Sequence, residues 1–355
     1  MNARIKWLKN QLILLKLEGV IVSNPINIRY LTGLEEEGTL IIGQKENIFI
    51  TDGRYTESVN RKLTIDDEIV VYDSRNMSKF DYENIFEMND NVGFEERYVT
   101  YEQYQRYLQE YKVNLIETEG LIENARIVKD EEETNFIQKA CEITDKSFEY
   151  IIRNIKEGMT EKDIAFEIEK FMIKNGADGI AFDFIVASGE NSSMPHAVPT
   201  DRVIKKGDII QFDIGCKYKG YCSDFSRFVF VEEIKEEYKT IYDFVLDQQK
   251  KIKNSLKDGS NIKLVIKDRE TDYKLKNYSI QHAFGHGVGL DIHEQPFLRS
   301  NKDCILKENA IIAIEPGVYI PGKFGIRIED TFKVTKFDCA PLTKAGKDYT
   351  IIKLG

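Results

Sequence analysis

Acidic residues interrupt two apolar runs around position 218, and their spacing predicts a β-hairpin. Asp213 lies in IIQFDIG and Asp224 in YCSDFSRFVFV, on either side of the turn-like stretch 217–220. Runs rich in Ile, Val, Phe and Tyr that flank a glycine-containing turn are typical of antiparallel strands. Residues placed evenly about such a turn lie opposite each other. We therefore expect the two carboxylates to face each other across the hairpin.

A second pair of acids repeats this arrangement further along the chain. Glu315 in IIAIEPGVYI and Glu329 in GIRIEDTF lie symmetrically about residues 321–323, whose Pro-Gly pair is a turn signal. The sequence thus predicts two hairpins that together present four carboxylates.

Four carboxylates on apolar strands need compensating positive charge, because like charges repel in a low-dielectric interior and each loses its hydration. Divalent metal ions are the natural source of that charge, and His286 in HAFGHGVGLDIHE adds one nitrogen ligand. Such an oxygen-rich set suits Mn²⁺, Co²⁺ or Zn²⁺ and differs from a thiolate zinc site. The five residues together predict two divalent metal ions that share bridging carboxylates, and hence a two-metal hydrolase.

Each ligand candidate taken alone has a simpler explanation. An acid in a strand usually lies on the exposed polar face, and a single histidine beside glycines is usually structural. The GHGVG stretch lacks both the Lys-Ser/Thr pair of a phosphate-binding loop and the full dinucleotide fingerprint. Only the joint pattern favours metal binding.

The ordered set QFDIG, GYCSDFSR, FGHGVGLDIHEQP, IEPGVYI and GIRIEDT resembles the pita-bread metallopeptidases, in particular their proline-directed branch, the Xaa-Pro dipeptidases and aminopeptidases P. The resemblance runs through almost the whole chain. The upstream phrase VASGENSSMPHAVPTDRVIKKGD is similar to the segment in which this branch carries a catalytic histidine, here His196. NIRYLTG and FITDGRY look like the smaller creatinase-type domain that precedes the catalytic domain in the same branch.

The resemblance implies a role for each of the five ligand candidates. Asp213 would chelate one metal ion, and His286 and Glu315 the other. Asp224 and Glu329 would bridge both ions. A hydroxide held between the ions would be the nucleophile, since metal coordination lowers the pKa of water towards neutrality.

The resemblance also implies roles for the remaining catalytic groups. Glu315 would shuttle the proton. His196 and His293 would contact the scissile amide and stabilise the charge that develops on its oxygen, while His282 would line the substrate pocket.

Strand alternation adds candidates around the ligands, because residues two apart on a strand share a face. Arg327 shares a face with Glu329 and is predicted to pair with the acid cluster or to fix a ligand carboxylate, with a surface ion pair as the alternative. Tyr221 and Ser226 flank the second aspartate in a similar way. Many relatives have Thr where Phe228 stands here, a difference that keeps the ligands but puts some hydrogen bonding around them in doubt.

The predicted fold class is α+β with two domains. Residues 1–122 are expected to form a small α/β creatinase-type N-terminal domain, a mixed sheet covered by helices. Residues 123–355 are expected to form a pita-bread catalytic domain with a curved antiparallel sheet and outer helices. The linker is predicted at 120–129, since Asp130 opens a long helical pattern with acids in its first turn. A second helix, 160–175, begins with a capping box in which Asp replaces Glu.

The resemblance implies a dinuclear exopeptidase that hydrolyses the amide bond between an N-terminal residue and proline. That amide has no N–H and a fixed φ, so it needs a dedicated pocket. The sequence leaves open whether the enzyme is a dipeptidase or an aminopeptidase, with a slight lean towards the former from chain length. The rival functions are an aminopeptidase of other specificity, a metal-free amidinohydrolase and an inactive binding module, and the complete ligand set disfavours the last two.

Composition predicts a cytoplasmic protein. The 355 residues carry a formal net charge of −10, which argues against nucleic acid as a partner. The apolar stretch LILLKLEGVIV is interrupted by Lys16 and Glu18 and is too short to span a bilayer, and no signal peptide is evident. Five cysteines without CxxC spacing indicate reduced thiols. The expected partners are a small peptide with proline in second position and, by the resemblance, a second copy in a homodimer.

Overall fold

The computed structural model describes residues 2–64 and 67–354. Within that part the chain divides into two compact units, Met1–Arg126 and Ile127–Gly355. Each unit combines helices with its own sheets, so the predicted α+β class is confirmed. None of the helices in the described ranges is both long and apolar enough to cross a membrane.

The first unit holds a mixed sheet and six helices among its described residues. Its elements are α1 (Ala3–Leu15), β1 (Gly19–Val22), α2 (Pro25–Thr32), β2 (Gly38–Gly43), β3 (Asn47–Thr51), α3 (Thr56–Lys62), β4 (Ile69–Asp73), α4 (Lys79–Glu83), β5 (Asn91–Phe94), α5 (Tyr101–Tyr111), β6 (Asn114–Glu117) and α6 (Leu121–Arg126). The strand order is β4-β3-β2-β1-β5-β6. Strands β1, β2 and β3 pair antiparallel, and the outer pairs are parallel. The α/β unit is therefore a small mixed sheet, as expected.

Two helices of this unit, α2 and α6, lie where the sequence analysis assigns no helix. Helix α2 covers most of the NPINIRYLTG phrase, with the Asn24 side chain accepting from Ile26 N and Pro25 in the first turn. Asn at the N-cap followed by Pro is a recognised start signal, and Gly33 ends the helix in the left-handed conformation. The signal was present in the sequence and could have been used. Helix α6 lies inside the predicted linker 120–129.

The second unit holds the remaining elements. They are α7 (Glu131–Ile152), α8 (Glu161–Lys174), β7 (Gly179–Ile180), β8 (Ile185–Ser188), β9 (Ile209–Ile214), β10 (Cys216–Tyr218), β11 (Tyr221–Cys222), β12 (Phe225–Val231), α9 (Glu236–Ser255), α10 (Ile262–Leu275), β13 (Gly285–Gly287), β14 (Ile311–Ile314), β15 (Gly317–Ile320), β16 (Phe324–Arg327), β17 (Asp330–Val334), β18 (Cys339–Pro341) and β19 (Thr350–Ile352). Both predicted helix starts are confirmed, since Asp130 and Thr160 each form a capping box with the acid three residues later.

Two four-stranded sheets form the centre of this unit, in the orders β19-β12-β9-β8 and β13-β14-β17-β18. All pairs are antiparallel except β12 with β19. A bridge between Ser226 and Glu329 joins the two sheets. The site described below lies at this junction.

Strand β12 is buried on both faces and divides two hydrophobic cores. Val229 and Val231 pack into the core that holds residues of α7 and α8, whereas Phe228 and Phe230 pack into the core that holds residues of α9 and α10. Successive side chains of a strand point to opposite faces, which explains this alternation. Burial on both faces fixes the strand that carries Ser226.

Candidate metal centre

The first hairpin forms with a register that differs from the expected one. Asp213 of β9 pairs with Ser226 of β12 and does not lie opposite Asp224. The shift is two residues, and the carboxylates of Asp213 and Asp224 still lie within 4.8 Å of each other. The cause is the inner turn, where Lys219 and Gly220 take positive φ and Tyr218 pairs with Tyr221. The two carboxylates are therefore diagonal neighbours.

The second hairpin has the register expected from the sequence. Strands β15 and β16 pair from Gly317 with Arg327 to Ile320 with Phe324, and Ile314 of β14 pairs with Asp330 of β17. Both pairings are centred on residue 322, so Glu315 and Glu329, which lie between the two paired segments, are opposite each other.

The nitrogen ligand candidate, His286, lies at the edge of the sheet that contains β14 and β17. His286 is the middle residue of β13 and pairs with Ala313 of β14. Strand β14 in turn pairs with β17, so β14 lies between β13 and β17. Its Nδ1 contacts the carbonyl oxygen of Gly287 at 3.1 Å, which places the proton on Nδ1 and leaves the lone pair on Nε2.

All five predicted ligands converge at the junction of the two sheets. Within the described residues, ligand atoms of three groups each lie within 4.8 Å of one another: Asp224, His286 and His293; His286, Glu315 and Glu329; and Asp213, Asp224 and Glu329. Four of the five are almost completely buried and Glu315 is half-buried. The predicted set thus forms one cluster in space.

Burial dominates the electrostatics of this cluster. Loss of hydration, followed by repulsion from neighbouring acids, raises the pKa of Asp224 and of Glu329 well above their ordinary values. Burial also raises the pKa of Glu315 to about 8. Carboxyl groups placed in this way ionise at neutral pH when a cation shares the site.

Two orphaned atoms test whether the residues fit a metal. Asp213 Oδ1 and His286 Nε2 are buried and have no hydrogen-bond partner within the described residues. The Nε2 lone pair faces Asp224 Oδ2 at 3.4 Å and Glu315 Oε1 at 3.5 Å. Burial lowers the pKa of His286 to about 3, so the ring is neutral. Three electron-rich atoms that face one another at these distances fit a divalent cation between them.

Arg327 is a positively charged side chain that lies against the acid cluster. It is 3 % exposed, so it is not a surface ion pair. Its guanidinium pairs with the Asp213 carboxylate and donates to Ser226 Oγ at 3.0 Å and to Tyr319 Oη at 2.8 Å. Ser226 Oγ in turn donates to Glu329 Oε2 at 2.8 Å. Arg327 therefore fixes one ligand candidate directly and another through a hydroxyl.

The remaining histidines surround a cleft of about 830 Å³ that opens onto the cluster. His196, His282 and His293 all line it. His282 Nδ1 lies 2.7 Å from the Ala283 carbonyl oxygen and its Nε2 lies 3.0 Å from Tyr319 Oη. Burial lowers the pKa of His282 to about 4, so a neutral ring accepts from the tyrosine.

Tyr319 was not among the predicted site residues. Its hydroxyl lies between Arg327 and His282, and a Cβ at Gly325 on the paired strand would come within 2.3 Å of its ring. The signal was available, because an aromatic residue opposite glycine in a predicted hairpin is a known pairing and Tyr319 lies two and four residues from Gly317 and Glu315.

Tyr221 and Phe228 lie outside the cleft. The structure does not place Tyr221 in the cleft: its hydroxyl donates to Glu133 Oε1 at 3.0 Å, on helix α7. Strand alternation does not extend from β12 to Tyr221, because the strand is interrupted at residues 223–224, between β11 and β12. Phe228, where relatives have Thr, packs in the hydrophobic core and offers the site no hydrogen bond.

Two known protein families match this chain. Residues 135–336 match Metallopeptidase family M24, and residues 4–128 match the Creatinase/Prolidase N-terminal domain. The chain belongs to metallopeptidase family M24. The family, the creatinase-type first domain and the pita-bread fold predicted from the sequence are thereby confirmed.

Individual members of family M24 resemble the chain over nearly its full length. An Xaa-Pro dipeptidase of Pyrococcus furiosus is 33% identical, with 94% of this chain and 95% of that protein covered. Among solved structures, an Xaa-Pro dipeptidase from Bacillus anthracis is 34% identical with a TM-score of 0.90, covering 98% of this chain and 99% of the other. An X-Pro aminopeptidase from Thermotoga maritima has a TM-score of 0.90 at 30% identity, with the same coverage. This M24 metallopeptidase is thus similar to both kinds of proline-directed enzyme.

Proposed function

We propose that this M24 metallopeptidase is an exopeptidase that hydrolyses the amide bond between an N-terminal residue and a following proline. The observation that carries the proposal is the convergence of five ligand candidates, four of them buried, at the end of a peptide-sized cleft. The similarity to Xaa-Pro dipeptidases and to an X-Pro aminopeptidase supports the proline specificity.

The proposed ligands are the residues of the cluster, which are Asp213, Asp224, His286, Glu315 and Glu329. Two divalent cations suit so many carboxylates, and the oxygen-rich set favours Mn²⁺, with Co²⁺ or Zn²⁺ as alternatives. When bound, such ions supply positive charge that acidifies water and polarises the peptide carbonyl. His286 would hold a metal ion through Nε2 at neutral pH, because its low pKa keeps that lone pair free.

Glu315 is the proposed proton carrier. Burial raises its pKa to about 8, and cation charge acts in the opposite direction, so the group holds or releases a proton near neutrality. It lies half-buried on the wall of the cleft, where a substrate amide has access to it.

His196 and His293 are proposed to donate N–H bonds to the oxygen of the scissile amide. Both rings are exposed to the cleft, and partial burial lowers the pKa of His293. Donors aimed at an oxygen that gains charge stabilise the transition state more than the substrate. His282 is already committed to Tyr319 and Ala283 and is proposed to shape the wall.

An apolar wall suits the proline ring. The hydrophobic side chains that line the cleft include Phe166, Phe182, Phe184, Ile185, Val198, Pro199, Ile292 and Phe297. A pyrrolidine ring buries apolar surface there. Because the proline nitrogen carries no hydrogen, this wall need not supply a hydrogen-bond acceptor for it.

The first experiment compares hydrolysis of Ala-Pro and Ala-Pro-Ala by Mn²⁺-supplemented protein. An Asp224→Asn variant and a chelator are expected to abolish activity, whereas Asp183→Asn, the same change at an exposed position of the cleft, is the matched control. Cleavage of the dipeptide alone identifies a dipeptidase, and cleavage of the tripeptide identifies an aminopeptidase. Inactivity on both peptides with metal bound contradicts the proline specificity and points to another aminopeptidase or to a binding module.

We also propose a cytoplasmic homodimer. All five cysteines are free thiols, which agrees with a reducing compartment. Light scattering of the purified protein tests the dimer, since a monomeric mass at micromolar concentration contradicts it.

A further inference from the structure

One buried carboxylate holds both ends of the segment that carries His196. Glu161 is the first residue of α8 and is 0 % exposed. Its Oε1 accepts from Ser188 N at 2.6 Å and from Ser188 Oγ at 2.7 Å. Its Oε2 accepts from Thr200 N at 2.9 Å and from Thr200 Oγ1 at 2.6 Å. We propose that Glu161 is a positioning residue, which places His196 at the cleft by closing the loop 189–199 at its base.

The remaining contacts of Glu161 strengthen this closure. Asn191 Nδ2 donates to both carboxylate oxygens, at 3.1 and 3.2 Å. Arg202 donates to Ser188 Oγ at 2.6 Å and pairs with Asp208, so the two ends of the loop are also linked to each other. Every partner of the carboxylate is a donor, which matches its ionised form.

Helix capping does not account for this arrangement. The N-cap of α8 is Thr160, and Asp163 completes the capping box with it. The first two helical N–H groups, of Glu161 and Lys162, already donate to the carbonyl oxygens of Arg202 and Thr200. The Glu161 carboxylate is therefore free to serve the loop.

His196 depends on this loop for its position. Its exposed ring makes no hydrogen bond within the described residues, so its position follows that of the loop backbone. Beside it, Arg327 donates to the Pro195 carbonyl oxygen at 3.2 Å, and Gly325 N of the same strand donates to Ser192 Oγ at 3.2 Å, so β16 contacts the loop between its two ends. Fixing both ends of a loop removes many of the conformations that its tip would otherwise sample.

The first test measures the loop itself and needs no enzymatic activity. In Glu161→Gln, one carboxylate oxygen becomes an NH₂ group that faces N–H and O–H donors, so one end of the loop is released. Amide hydrogen exchange in 189–199 is expected to rise about tenfold or more, the equivalent of losing one charged hydrogen bond. Glu167→Gln makes the same change at a more exposed position of the same helix and is the matched control. Unchanged exchange in the loop overturns the proposal.

The second test rests on the proposed function and asks whether Glu161 acts through His196. Glu161→Gln should lower kcat/KM for the Xaa-Pro substrate about 10-fold to 100-fold. In a His196→Ala background the same change should lower it less than about twofold, because the group being positioned is gone. Mn²⁺ affinity should stay at the wild-type value in each variant, and Thr200→Val, which removes one hydroxyl, gives a milder form of the same effects.

The outcomes separate the two proposals. Wild-type protein that cleaves no Xaa-Pro peptide contradicts the proposed function, and hydrogen exchange still decides whether Glu161 closes the loop. Equal losses from Glu161→Gln with and without His196, or a loss of Mn²⁺ affinity, overturn the positioning role even when the enzyme is active.

Discussion

The Ser226 hydroxyl donates a hydrogen bond of 2.8 Å to Glu329 Oε2 and accepts one of 3.0 Å from Arg327 Nε. The serine is 0 % exposed, so water does not compete for either bond. A hydroxyl has a single hydrogen to donate. Because Arg327 occupies a lone pair, that hydrogen is directed at the carboxylate of a proposed metal ligand.

Removing this hydroxyl should weaken metal binding. We expect Ser226→Ala to lower Mn²⁺ affinity about 10-fold to 100-fold, since Glu329 loses the donor that orients it. Ser226→Thr keeps the hydroxyl and should bind nearly as tightly as the wild type. Calorimetric titration of chelator-stripped protein measures all three, and equal affinities would show that the hydrogen bond has no such role.

The Arg327 guanidinium should matter most when metal is absent. Arg327→Met leaves Asp213 without its cationic partner among buried acids, so metal-free protein should lose about 3–5 kcal/mol of unfolding free energy. Saturating Mn²⁺ should restore part of this, because binding stabilises the folded state. Denaturant midpoints with and without metal provide the measurement. Arg299→Met, at an exposed position of the same cleft, serves as the control, and the prediction fails if both variants unfold at the same midpoint.

Close backbone packing between the two aspartates makes Gly215 sensitive to substitution. A Cβ there would lie 2.1 Å from the Ser223 carbonyl oxygen, so Gly215→Ala must push the strands apart. We expect a loss of about 1–3 kcal/mol or more in stability, together with weaker Mn²⁺ binding. Gly179→Ala, whose added Cβ meets nothing within 4 Å, should be neutral. Thermal unfolding followed by circular dichroism distinguishes these outcomes.

The parts of the fold that could be predicted from the sequence are those encoded by neighbouring residues. The capping boxes at Asp130 and Thr160 marked helix starts to the residue, because the side chains that satisfy the first N–H groups are encoded next to them. Asn24 and Pro25 mark the start of helix α2, but its short apolar pattern is also compatible with a strand, so the sequence alone does not decide between the two.

The site was predictable where a single turn sets the register. Glu315 and Glu329 are symmetric about one turn, and pairing continues from it without change on both sides. Asp213 and Asp224 are separated by a turn whose centre lies one residue later than expected, which shifts the pairing by two. The contacts of Glu161 with Ser188 and Thr200 join segments far apart in the chain, and no local pattern encodes them.

In the first unit, a buried carboxylate should make stability depend on pH. Glu95 is 4 % exposed and accepts from Ser23 N, Asn24 N and Asn27 Nδ2 at 2.6 to 2.7 Å. Loss of hydration outweighs these bonds and raises the pKa of Glu95 from 4.5 to about 7. The folded state therefore binds more protons between those values, and the free energy of unfolding falls as pH rises through that window.

Glu95→Gln should remove this part of the pH dependence, up to about 3 kcal/mol between pH 4.5 and 7. Urea unfolding at several pH values measures it, with the exposed Glu57→Gln as control. Acids of the metal site titrate in both variants and cancel in the comparison. A slope in Glu95→Gln equal to that of the wild type would mean that the carboxylate stays ionised when folded.

The preference of the enzyme for a dipeptide over a longer peptide should depend on Arg299. Among the described residues that line the cleft, the guanidinium groups are those of Arg299 and Arg327, and the latter is committed to Asp213. Arg299 stacks over Phe297 at 5.3 Å and is exposed, so it is available to the free carboxylate of a dipeptide.

Arg299→Gln should therefore raise KM for Ala-Pro about 10-fold, the loss of one charge-assisted hydrogen bond, with little change in kcat. The KM for Ala-Pro-Ala should change less, because its carboxylate lies one residue further from the scissile bond. Lys302→Gln, an exposed neighbour that does not line the cleft, is the control. Equal KM changes for both peptides would remove Arg299 from carboxylate recognition and leave the preference to the apolar wall.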